Sequence, residues 1–223
     1  MQHHAGRRFH AGLLHGTPVV LVLCCVGKVA AAVTAALLAE RWQPRSLVFT
    51  GVAGGLGSGV RVGDVVVGDT LLQHDMNASP LFPRYEVPLT GRSRFDADAA
   101  LSAELAAATS TVLAEPDHFG DEARALGVVQ PALHRGLIIS GDRFVCTAAD
   151  SAALQQALPD ALAVEMEGAA LAQACHDLGL PFAVLRTISD RADDSAHVDF
   201  MRFIDVVAAR ASAAIIGRWL QGR

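Results

Sequence analysis

The chain has 223 residues, 52% hydrophobic and 18% charged, with a net charge of −5. That length suits one large α/β domain over residues 1–223, and no composition break divides it. No apolar run reaches the roughly 18 residues of a membrane span, and no Lys/Arg cluster offers the basic face on which nucleic acid binds.

A small molecule is therefore the expected partner. Cys24, Cys25, Cys146 and Cys175 fall in apolar runs without CxxC spacing. They read as buried thiols of a reducing cytoplasm rather than as disulfides or metal ligands. The polar start is not read as a signal peptide, and His3-His4 falls short of a metal motif.

In chain order, residues 17–25 read as a buried strand, and Gly27 permits a turn into a helix over 28–41. Gly27-Lys28-Val29 lacks the upstream Gly and following Ser/Thr of a phosphate-binding loop, so Lys28 is expected to be a solvated helix-start residue. A second strand over 46–50 runs into Gly51-Val52-Ala53-Gly54-Gly55-Leu56-Gly57. Glycines there either let backbone approach a ligand or make a tight turn, and their register is not that of a dinucleotide fingerprint.

Residues 60–69 read as a hairpin pair. Over 73–91, Pro80, Pro83 and Pro88 surround Phe82, Arg84 and Tyr85, which predicts an ordered functional or interfacial loop. Asp96 is expected to cap a helix running to 114, and 115–131 a loop with a loosely specified helical piece. Residues 136–142 repeat the strand-then-polar-turn pattern, with another helix from Asp150 or Ser151. A terminal helix over 199–220 places Phe203, Val206, Val207, Ala211, Ala214 and Ile215 at helical spacing, an apolar stripe for the core. The order predicts a mainly parallel or mixed twisted sheet with helices on both faces.

Two apolar runs end abruptly in carboxylates. Leu162-Ala163-Val164 leads to Glu165 and Glu167 and then to a helix-forming stretch over 169–175; residues 182–185 lead to Asp190. Open α/β sheets hold ligands where strands hand over to helices, and in an extended chain the i, i+2 spacing turns both glutamates to one side. Two readings stand: the glutamates serve the helix end, where the dipole favours acids, or they form a site. Asp190 favours the second, because two acidic strand ends separated by one crossover helix would lie side by side in a parallel sheet.

Together, Gly27-Lys28-Val29-Ala30-Ala31-Ala32, Thr50-Gly51-Val52-Ala53-Gly54-Gly55-Leu56, Ser140-Gly141-Asp142-Arg143-Phe144, Val164-Glu165-Met166-Glu167-Gly168-Ala169-Ala170 and Ile188-Ser189-Asp190-Arg191-Ala192-Asp193 resemble the methylthioadenosine/S-adenosylhomocysteine nucleosidases of the nucleoside phosphorylase superfamily. The motifs occur in order from about Gly12 to the C-terminus.

The resemblance implies an α/β fold around a mixed, partly barrel-like sheet with helices on both faces. It also implies a cytoplasmic homodimer, no metal or cofactor, and cleavage of a purine N-ribosidic bond. Asp190 would protonate purine N7, helped by Ser189, and Glu167 would hold the ribose hydroxyls flanked by Glu165 and Met166. Phe144 would stack on the base, the backbone of Val145 would read its edge, and Phe200 would close the 5′ side. Arg186 with Ala53 and Gly54 would place the attacking water, and the 76–85 loop, Phe82 in particular, would close the partner subunit's 5′ pocket.

Departure of a purine puts negative charge on the base and oxocarbenium character on the sugar, which calls for an acid on one side and carboxylate density on the other. Asp190 would need burial or a nearby carboxylate to act as that acid, and an inward-pointing Arg186 or Arg191 would oppose it. The family's first strand and water-activating glutamate have no counterpart before Gly12, where no strand-forming run is seen. Residues 1–223 alone are thus expected to bind nucleoside with weak or absent hydrolysis, an upstream start supplying the rest, unless Glu40, Glu86 or another carboxylate takes the base role. The alternatives are a phosphate-dependent phosphorylase, for which the 51–56 loop offers no cationic anchor, and a ligand-binding homologue.

Overall fold

The computed structural model describes residues 1–115, 120–192 and 200–223. Asp193 of the last motif and Asp199 lie outside the described residues.

The chain opens with an antiparallel meander of β1 (Gln2–His4), β2 (Arg7–Leu14) and β3 (Thr17–Val22). This corrects the expectation of no strand before Leu13. His4 pairs with Arg7 and Leu14 with Thr17, so each hairpin turns on two residues, Ala5-Gly6 and His15-Gly16. All four have positive φ, the geometry that matches strand twist and that Gly in second place makes easy. Only Phe9 of β2 is buried, stacked on Trp42 with ring centroids 4.5 Å apart.

α1 (Lys28–Trp42) packs on α5 (Gly168–Asp177), and α2 (Ala99–Leu113) on α7 (Ala209–Gln221), with the shorter α3 (Gly120–Ala125) and α4 (Ala148–Ala157) following α2 along the chain. Asp98, not Asp96, caps α2 by accepting the Leu101 N–H at 2.8 Å; Asp96 ends the short strand β6 (Arg94–Asp96). β4 (Leu47–Gly55) absorbs most of the glycine-rich stretch, which is strand rather than loop. β5 (Val65–Gln73) is one strand, not half of a hairpin, because residues 60–64 form a turn instead.

β7 (Leu133–Ser140), β8 (Ala161–Glu165) and β9 (Phe182–Asp190) complete a six-stranded sheet in the order β6-β5-β7-β8-β4-β9, closed by antiparallel pairing of β9 with β5. The fold is therefore α/β, a mixed sheet closed into a barrel with helices around it. Both faces of β5 are buried: Val66 packs with Ala53, Ile138 and Val184, while Val65 and Val67 pack with Val112, Val207 and Ala211. Val207 belongs to a π-helical turn, Ile204–Ala208, which joins α6 (Phe200–Phe203) to α7, so the terminal helix is not one regular stripe.

The acidic strands β8 and β9 are not neighbours. β4 lies between them, antiparallel to β8 and parallel to β9. The ends still meet, because Gly54 of β4 pairs with Val164 on one side and Asp190 on the other. Among the described residues no helix is long and apolar enough to cross a membrane. The four cysteines are free, but only Cys175 is buried; β3 stops at Val22, which leaves Cys24 half-buried and Cys25 exposed in the following loop.

Candidate active site

A cavity of about 210 Å³ opens where the carboxyl ends of β4, β8 and β9 converge, the position at which α/β sheets hold ligands. Ten of the residues singled out in the sequence line it: Ala53, Gly54, Phe144, Val145, Glu165, Met166, Glu167, Ser189, Asp190 and Phe200. Arg186 does not.

β9 brings two consecutive side chains to one side. Ala53 pairs with Ile188 and Gly54 with Asp190, so Ser189 is the extra residue of a bulge. A regular strand would turn Ser189 and Asp190 to opposite faces; the bulge re-aims them, and both line the cavity. Ser189 Oγ donates to Asp190 Oδ2 at 2.6 Å, and the Ala192 N–H donates to Oδ1 at 2.7 Å. Arg191 turns away, its Nη1 donating to the carbonyls of Gly57, at 3.2 Å, and Val60.

The two glutamates have different surroundings. Glu165 lies at the cavity floor with both oxygens engaged: Arg186 Nη2 and Nε donate to its Oε2 at 2.6 and 3.1 Å, the Gly168 N–H reaches both oxygens, and Ser140 Oγ donates to Oε1. Arg186, 1% exposed, lies under that carboxylate and over the Phe49 ring at 4.1 Å. It reaches the cavity only through Glu165. Gly51 is a glycine for this reason, since a Cβ there would stand 3.1 Å from Arg186 Nη1.

Glu167 turns the other way, where its Oε1 accepts the Gly27 N–H at 2.7 Å. Burial raises the Glu167 carboxyl above its ordinary value and the charge of Glu165 adds to this, against the Gly27 hydrogen bond and the Arg186 charge. At the mouth, Phe144 is 44% exposed and meets Phe200 edge-on, with centroids 6.0 Å apart. Val145 is buried behind it.

Val26, Val52, Arg143 and Val164 also line the cavity. The three valines carry no chemical signal of their own next to a strand end, and nothing local in the sequence shows that the turn carrying Arg143 faces the cavity. Lys28 was misread: its side chain is 16% exposed and Nζ lies 2.6 Å from Asp75 Oδ1. Glu40 and Glu86 do not line the cavity; among the described residues the lining carboxylates are Glu165, Glu167 and Asp190. Among the described residues no group of three or more His, Cys, Asp or Glu side chains is arranged to hold a metal ion.

A family model described as the phosphorylase superfamily matches residues 1–219. Similar solved structures include the methylthioadenosine/S-adenosylhomocysteine nucleosidase of Streptococcus pneumoniae in complex with 8-aminoadenine, at 34% identity over 100% of this chain and 89% of that one, with a TM-score of 0.84. The corresponding Neisseria meningitidis enzyme, in complex with methylthio-immucillin-A, matches at 35% identity over 97% and 87%, with a TM-score of 0.80. A futalosine hydrolase mutant of Helicobacter pylori is more distant in sequence, at 28% identity over 100% and 88%, with a TM-score of 0.82. A likeness that runs along nearly the whole chain, and takes in every strand end around the cavity, makes this chain a member of the phosphorylase superfamily in its methylthioadenosine/S-adenosylhomocysteine nucleosidase family.

Proposed function

We propose that the chain hydrolyses the N-ribosidic bond of 5′-modified adenosines, methylthioadenosine or S-adenosylhomocysteine, and releases adenine. The observation that carries this reading is the placement of Asp190 and Glu167, with Phe144 and Phe200, in one cavity. As the bond from C1′ to purine N9 breaks, its electron pair moves onto the base. Asp190 delivers a proton to N7, and Ser189 fixes the rotamer of the acid. The sugar gains oxocarbenium character, which the carboxylate of Glu167 stabilises while it accepts the ribose hydroxyls. Water adds to C1′ and its released proton passes to solvent, from which Asp190 regains the one it gave to N7.

Phe144 stacks on the base, the Val145 backbone reads its edge, Met166 packs against the sugar and Phe200 closes the 5′ side. Arg186 acts at one remove: it fixes Glu165, and that carboxylate with the backbone of Ala53 and Gly54 shapes the floor on which the water stands.

Water rather than phosphate suits the lining. Among the described lining residues the positive charge belongs to Arg143, and its Nη2 is held by Asp150 at 2.5 Å. A phosphorylase needs cationic anchors for its co-substrate. The test is product analysis with and without phosphate: free 5-methylthioribose in both buffers supports hydrolysis, and a ribose 1-phosphate formed only with phosphate overturns it.

The same reading includes a cytoplasmic homodimer serving methionine salvage, with the 76–85 loop near the partner's cavity. The dimer is supported by Leu81 of that loop, 83% exposed, and by exposed Leu21, Leu23 and Val29, apolar side chains that a partner subunit would cover. A solution mass equal to the 23.3 kDa chain would overturn the dimer.

A further inference from the structure

Three loops meet at the N-terminus of α1. The Gly27 N–H holds Glu167, as above, and the next residue grips the other wall. The Lys28 N–H donates to Asp142 Oδ1 at 2.9 Å, while Lys28 Nζ lies 2.6 Å from Asp75 Oδ1 and 3.8 Å from Asp142 Oδ2. Asp75 then accepts the Asp142 N–H on its other oxygen at 2.9 Å. Burial alone would raise the Asp75 carboxyl, but the Lys28 ammonium and the Asp142 N–H outweigh it and hold it below the usual value.

Asp142 stands two residues before Phe144, in a turn otherwise held by Arg143 to Asp150 and by buried Val145. Gly141 is fixed by its N–H to the Glu165 carbonyl at 3.1 Å and has no room for a side chain against the His74 ring. Beyond that, Phe144 is 44% exposed and meets Phe200 only edge-on. A ring held this loosely by packing owes its orientation to the backbone that carries it.

We propose that Lys28 and Asp75 are positioning residues for the nucleoside. Through Asp142 they hold the turn that presents Phe144 and Val145, and they tie it to the helix end that holds Glu167. The base-facing and sugar-facing walls are thereby set at a fixed separation by one turn of α1. This inference rests on the nucleosidase reading for the identity of the ligand; the lock itself rests on the four polar contacts.

An ion pair with this exposure, 16% for Lys28 and 34% for Asp75, adds little to global stability, so its effect falls on binding. Stacking of a base on an aromatic side chain is worth roughly 5- to 150-fold in affinity. The test measures adenine release from methylthioadenosine by Lys28→Met, Asp75→Asn, the double variant and Lys28→Arg, together with calorimetric binding of free adenine. Expected are a rise in KM of about tenfold, in the lower part of that range, kcat within about threefold, a double variant no worse than either single one, and recovery in Lys28→Arg, which keeps the charge.

Weaker adenine binding in the same proportion would accompany it. Unchanged KM and adenine affinity with a lowered melting temperature would make the lock merely structural, and additive single effects would separate the two residues; either overturns the proposal. A wild-type chain that binds adenine but cleaves nothing would sink the nucleosidase reading and leave the lock to be decided by the adenine affinities. A wild-type chain that does neither overturns both.

Discussion

Gly54 and Asp190 are register partners across β4 and β9, and a methyl group at Gly54 would stand 3.0 Å from Asp190 Oδ1 and 2.8 Å from the Ala192 Cβ. The glycine is what lets the acid lie against the sheet. Gly54→Ala is therefore expected to displace Asp190 and lower kcat/KM by about 10- to 100-fold, the scale of an ångström's misplacement. Gly59→Ala, where a methyl group meets nothing within 4 Å, serves as the control and keeps activity. Equal activity of the two variants would show that the close approach is not needed.

Glu167→Gln removes a charged acceptor while keeping the shape. Charged hydrogen bonds contribute about 1.5–3 kcal/mol, so nucleoside affinity should fall roughly 10- to 100-fold, with free adenine little affected. Protonation should mimic this. The Glu167 carboxyl is held above its ordinary 4.5 by burial, so the acceptor is present above that raised value and lost as pH falls through it. KM for nucleosides should rise on the acid side from a pH above 4.5, and Glu167→Gln should flatten that limb. Equal weakening of adenine and nucleoside would confine Glu167 to the helix end.

Arg186 and Glu165 form a pair in which neither side chain is more than 3% exposed. Arg186→Met strands the carboxylate without its cation, and losses of this kind run to about 3–5 kcal/mol. The exposed Arg94–Asp160 pair is a fair comparison, and its Arg94→Met should cost about 1 kcal/mol or less. Urea unfolding of both variants checks this; similar losses would mean that the buried pair carries no special weight.

The three carboxylates of the cavity were legible because apolar runs ending in acids mark strand ends, and strand ends are where such sheets bind. Barrel closure was not. It depends on antiparallel pairing of Val65–Gly68 with Val184–Thr187, which no local pattern announces, and the pairings that set β4 between the two acidic strands are equally non-local. The bulge at Ser189 was equally hidden, since it exists only in the register with β4.

β2 escaped notice because only Phe9 along it is buried, so it lacks the alternation of a half-buried strand; the turns Ala5-Gly6 and His15-Gly16 were the usable signal. The glycines at 51–55 were read as a loop, although what demands them is the Arg186 guanidinium and the Asp190 carboxylate pressed against a strand. Lys28 looked solvated because its partner Asp75 stands 47 residues away.

The central claim is that Asp190 is the acid that releases the base. The direct measurement is adenine release from methylthioadenosine in phosphate-free buffer, comparing the wild-type chain with Asp190→Asn under single-turnover conditions, with circular dichroism to confirm the fold. An amide cannot deliver the proton, so the account predicts a rate lower by about 10²- to 10⁴-fold in a folded variant that still binds adenine. A folded Asp190→Asn chain that keeps more than about a tenth of the wild-type rate would contradict it.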